Sequence, residues 1–124
     1  MKTKKCVLVV EDDESFRESV KKLLEKEGFE VREACSGEEG VEILGKDSID
    51  LVLLDLYLGG MTGLEFLDKT KNPLRPPVIL LTAFGDWGIY SDAVARGAVD
   101  CIPKPIKRNE LMALVNGTLA KASN

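Results

Sequence analysis

The sequence predicts an α/β fold, a parallel sheet of five strands covered by helices on both faces. Five short apolar runs alternate with longer amphipathic ones, so strand and helix follow each other five times. The first, third and fourth apolar runs lack a polar face, which suits strands that helices cover on both sides. No linker, internal repeat or low-complexity segment interrupts the alternation. A length of 124 residues fits one domain, residues 1–124, with flexible ends expected at 1–5 and 121–124.

Each element has its own signal. "CVLVV" (6–10) reads as the first strand, and Phe16, Val20, Leu23 and Leu24 share one face of the helix after it. Gly28 marks the stop of that helix. "FEVREA" (29–34) is the second strand, and Ser36 with Glu39 has the capping-box spacing that starts a second helix. "LVLLD" (51–55) is the third strand, with Thr62 and Glu65 repeating the capping spacing for a third helix. Pro76 and Pro77 break the chain before "VILLT" (78–82). "AVDCI" (98–102) is the fifth strand, and Leu111, Leu114, Val115 and Leu119 line one face of the last helix.

Composition narrows the function. A net charge of −4 gives no basic face for nucleic acid, so direct nucleic-acid contact is not expected. Cys6, Cys35 and Cys101 lie far apart and form no CxxC pair, which fits reduced thiols in a cytoplasmic protein. The apolar run after "MKTKK" is too short for a signal-peptide core or a membrane span. Histidine is absent, so any imidazole chemistry must come from a partner.

In a parallel sheet of this kind ligands gather beyond the carboxyl ends of the strands. There the sequence places Glu11, Asp12 and Asp13 after strand one, Asp55 after strand three, Thr82 after strand four and Lys104 within "PKP" after strand five. Several carboxylates in one crevice repel each other unless a cation sits among them, and oxygen ligands favour a hard ion such as Mg²⁺. A lysine and a hydroxyl at the same rim can hold phosphoryl oxygens. The set suits phosphoryl transfer onto an aspartate oxygen. Single residues have plainer readings: Asp13 is best read as an N-cap, Thr82 suits an ordinary strand, and Lys104 a solvated loop. Those plainer readings would all have to hold at one rim.

The pieces "VLVVEDDE", "LVLLDLYLGGMTG", "LLTAFG" and "CIPKP" together resemble the receiver domain of two-component response regulators, of the chemotaxis-regulator kind, from about Cys6 to the last helix. The resemblance implies a flavodoxin-like (βα)5 three-layer sandwich with strand order 2-1-3-4-5. It implies that Asp55 accepts the phosphoryl group. Mg²⁺, with Mn²⁺ as a substitute, would be held by Asp12, Asp55 and the Tyr57 backbone carbonyl, and by Glu11 through water. Thr82 matches the switch hydroxyl and Lys104 its lysine partner, with a cis Lys104–Pro105 bond. The implied partners are a histidine kinase or histidine phosphotransfer protein, and a dimer mate, effector domain or target on the face of helix four, strand five and helix five. Such a module catalyses its own phosphorylation and dephosphorylation, not conventional turnover.

Two positions depart from the family pattern. Gly59 stands where a proline is usual, implying a looser loop. Cys101 stands where an aromatic switch residue is usual, with Phe84, Trp87 and Tyr90 close by as substitutes or as plain packing for helix four. Tyr57 and Phe84 occupy the positions associated with phosphate lifetime, and both are large and aromatic. Two rival readings remain at this stage. A phosphorylation-independent interaction module would explain Cys101. An aspartyl-phosphate phosphatase of the haloacid dehalogenase kind would need an aspartate where Tyr57 stands.

Overall fold

The computed structural model describes residues 4–82 and 87–122, so Phe84 lies outside the described residues. Five parallel strands, β1 (Cys6–Val10), β2 (Glu30–Ala34), β3 (Leu51–Asp55), β4 (Val78–Thr82) and β5 (Asp100–Pro103), stand in the order β2-β1-β3-β4-β5. Between and after them run α1 (Glu14–Lys26), α2 (Gly37–Lys46), α3 (Gly63–Lys69), α4 (Trp87–Ala95) and α5 (Arg108–Ala122). This is the flavodoxin-like order, and β1, β3 and β4 are buried at every position.

Side chains alternate across the sheet, so each central strand feeds two cores. Val7, Val9, Leu51, Leu53, Ile79 and Leu81 pack with Val20 and Leu24 of α1 and Leu111, Val115 and Leu119 of α5. Leu8, Val10, Val52, Leu54, Val78 and Leu80 face the other way, onto Phe66 and Leu67 of α3 and Ala93 of α4. The sandwich therefore has three layers, with α1 and α5 on one side.

Helix ends explain where strands begin. Gly28, at φ +92°, lets its own N–H reach the Glu25 carbonyl and the Phe29 N–H reach Leu24, at 3.0 and 3.1 Å. Phe29 is thereby spent on closing α1, and β2 starts one residue later than its apolar pattern suggests. The same closure at the end of α4 sends the Ala98 N–H to Ala93, so β5 starts at Asp100, not at Ala98. Thr62 and Glu65 form a complete capping box at α3. At α2 the Ser36 hydroxyl accepts from the Glu39 N–H, while the Glu39 carboxylate reaches back to the Cys35 N–H at 2.7 Å. The Lys5 carbonyl accepts from the Glu30 N–H, and α5 continues through Ala122.

Candidate functional site

The parallel sheet delivers the ends of β1, β3, β4 and β5 to one rim. Glu11 follows β1 directly and is 1% exposed, although it is a carboxylate. Its Oε2 accepts from the Asp13 N–H at 3.1 Å, and its backbone carbonyl accepts from Arg17 Nη1 at 2.7 Å. Arg17 itself is ion-paired to Glu33 of β2, which fixes the start of α1 against the sheet. Asp13 caps α1 through the Phe16 N–H, as its sequence context predicted.

Asp55 ends the central strand and is 4% exposed. Its Oδ1 accepts from the Tyr57 N–H at 3.2 Å. Lys104 reaches both buried carboxylates: its Nζ lies 2.8 Å from Glu11 Oε1 and 3.5 Å from Asp55 Oδ2. The Lys104 N–H donates to the Thr82 carbonyl at 2.8 Å, which sets the lysine beside the end of β4. Thr82 is buried, and the Lys104–Pro105 bond is cis. The solvated-loop reading of Lys104 therefore fails.

Asp12 is exposed beside this pair, and oxygens of Glu11, Asp12 and Asp55 all lie within 4.8 Å of one another. Three carboxylates against one ammonium leave net negative charge at the rim when all are ionised. A hard divalent cation fits such an all-oxygen donor set. Burial raises the Glu11 carboxyl to about 7; Lys104 and the Asp13 N–H oppose this, and Asp55 adds to it. Burial works against the Lys104 charge, yet Glu11 and Asp55 outweigh it and hold Lys104 above its ordinary value.

Gly59, where the sequence implies a looser loop, makes a specific tie. Its N–H donates to Asp12 Oδ2 at 3.2 Å, a tie that proline could not make. The glycine thus links the loop after β3 to the acidic residues after β1. Tyr57 is 50% exposed at the mouth of the site. Cys101 faces the α4 side of the sheet, where Tyr90 of α4 packs in the same core. Two contacts escaped the sequence reading: Arg17 on the Glu11 carbonyl, and the Phe16 ring centroid 4.3 Å from Lys104 Nζ. Apolar periodicity marks Phe16 only as a core residue, so it carries no signal for the second.

The family model of the response regulator receiver domain matches residues 7–116. This chain belongs to that family. The receiver is 36% identical over 115 residues to the transcriptional activator protein PfeR of Pseudomonas aeruginosa, covering 93% of this chain and 38% of that protein. It is 32% identical over 118 residues to the transcriptional regulatory protein SrrA of Staphylococcus aureus, covering 95% of this chain and 49% of that one. The receiver thus spans less than half the length of these curated relatives. Among solved structures, a CheY-like receiver domain protein from Methanospirillum hungatei superposes with a TM-score of 0.89 at 30% identity, covering 96% of both chains. A response regulator from Chloroflexus aurantiacus gives 0.90 at 32% identity, covering 95% of this chain and 99% of that one. Among the described residues no helix is long and apolar enough to cross a membrane.

Proposed function

We propose that this receiver takes a phosphoryl group from a partner's phosphohistidine onto Asp55. The observation that carries this reading is a buried carboxylate at the end of the central strand, joined by one lysine to a second buried carboxylate. An Asp55 oxygen attacks phosphorus, the phosphorus–nitrogen bond breaks, and the imidazole leaves with the bonding electrons. Asp12, Asp55, the Tyr57 carbonyl and, through water, Glu11 would hold Mg²⁺, with Mn²⁺ as a substitute. The ion would supply positive charge to offset the phosphoryl oxygens. Lys104 donates to a phosphoryl oxygen from its place beside Asp55, and the Thr82 hydroxyl closes from β4. The chain acts on its own carboxylate and performs no conventional turnover.

The added charge, about −2 at neutral pH, favours a second arrangement of the rim and of the α4, β5 and α5 face. Val94 and Val99 are exposed large apolar residues at this side, which suits a dimer mate, effector domain or target protein. The donor is a histidine kinase or histidine phosphotransfer protein in the cytoplasm. No direct nucleic-acid or membrane contact is proposed for this chain.

Acetyl phosphate with Mg²⁺ tests the reading. The expected result is a phosphoryl mass increase that Asp55→Asn abolishes, accompanied by a change in Trp87 fluorescence. The absence of an aromatic at Cys101 favours a second reading, an interaction module indifferent to phosphate. A mass increase with no change in fluorescence or partner binding would support that alternative.

A further inference from the structure

We propose that Phe16 is a positioning residue for Lys104, holding its ammonium in the place from which it meets the phosphoryl group. This rests on the phosphoryl-acceptor reading of Asp55. A lysine side chain is a flexible stem with a point charge, and charge attraction alone does not choose among neighbouring carboxylates. Here the ammonium is bounded on three sides: Glu11 Oε1 at 2.8 Å, Asp55 Oδ2 at 3.5 Å, and the Phe16 ring centroid at 4.3 Å. The ring face carries negative charge density and attracts a cation.

Phe16 comes from α1, Glu11 from the end of β1, and Asp55 from β3, so three separate elements set one nitrogen. Phe16, Val20 and Leu23 also line an open groove with Lys104, Pro105 and Ile106, which places apolar surface along the lysine stem. With the ring on one side and the two carboxylates on the others, the ammonium needs little rearrangement when a phosphoryl group reaches Asp55.

The plain alternative is that Phe16 only fills the edge of the α1 and α5 core, against which it is partly buried. Phe16→Leu and Phe16→Met keep apolar bulk without the ring, and Phe16→Trp keeps an aromatic face. Acetyl phosphate labelling of Asp55 is expected to slow about five- to tenfold in the Leu and Met variants and to stay within about twofold in the Trp variant.

A second measurement needs neither phosphate nor metal. NMR of the unmodified protein should show Lys104 ε-methylene protons shifted by the ring in wild type and Phe16→Trp, and unshifted in Phe16→Leu. The proposal is overturned if both non-aromatic variants label at the wild-type rate, if Phe16→Trp is as slow as Phe16→Leu, or if wild type shows no ring shift. A wild-type protein that shows the ring shift but takes no label overturns the Asp55 reading, and with it this role for Phe16.

Discussion

Glu11 is the residue where burial and charge disagree most. A carboxylate away from water would normally be costly; among the described residues Lys104 and the Asp13 N–H offset that cost, as a bound cation would. Its carboxyl is raised to about 7 from 4.5, so between those values the folded state binds the proton more tightly than the unfolded chain does. The metal-free fold therefore loses stability as pH rises through that window. Metal binding runs the other way, because only ionised Glu11 attracts a cation. Mg²⁺ affinity is expected to fall as pH drops from about 8 to about 6, and Glu11→Gln should lower the affinity and flatten that dependence, as titration calorimetry can measure. Tyr57, half-exposed beside Asp55, is expected to shield the acyl phosphate from water. Tyr57→Asn with Phe84→Glu is expected to shorten the acyl phosphate lifetime several-fold, followed as loss of the phosphoryl mass. An unchanged lifetime would remove the shielding role.

At the scale of elements, the site depends on how closely α3 approaches the end of β3. A Cβ on Gly63 would stand 2.7 Å from the Leu56 Cα and 2.9 Å from the Asp55 carbonyl oxygen, both backbone atoms that cannot step aside cheaply. Gly63→Ala is expected to destabilise the fold by about 1–3 kcal/mol in urea unfolding and to slow labelling of Asp55, because relief requires moving the strand end that carries it. At the end of the sheet opposite the rim, Arg75 ties α3 to α4. Its guanidinium donates to the Leu67 carbonyl at 2.8 Å and to the Arg96 carbonyl at 3.3 Å, near two helix C-termini whose dipoles favour a cation. The helices on that face are thus linked at the end remote from Asp55.

For the whole molecule, the proposed switch requires a charge change at Asp55 to reach α4 without an aromatic on β5. Leu80 pairs with Cys101 and Thr82 with Pro103, and alternation puts Leu80 and Thr82 on the same face as Cys101. Tyr90 of α4 packs in the same core as Cys101, so the helix brings an aromatic ring to the core where the strand lacks one. Burial raises the Tyr90 hydroxyl above its ordinary value, and the neighbouring Cys101 and Asp100 add to it, so it stays neutral. Tyr90→Phe keeps the ring and removes the hydroxyl. It is expected to leave the phosphoryl mass increase unchanged and to reduce the accompanying Trp87 fluorescence change. A full-sized change would show that α4 is reached by another route.

The fold class, five strand and helix pairs and the rim carrying Asp55, Asp12, Thr82 and Lys104 were all legible in the sequence, because period and strand-end chemistry are local properties. Strand starts at Phe29 and Ala98 were misread for a local reason too: helix closure took those N–H groups first. What the sequence could not show is which distant groups meet. Gly59 read alone suggests looseness, and only the folded chain gives its N–H to Asp12. Phe16 read alone is one more apolar position on α1. Only the tertiary structure sets its ring against an ammonium 88 positions further along the chain (104 − 16), because a parallel sheet brings remote strand ends to one edge while the sequence records only their order.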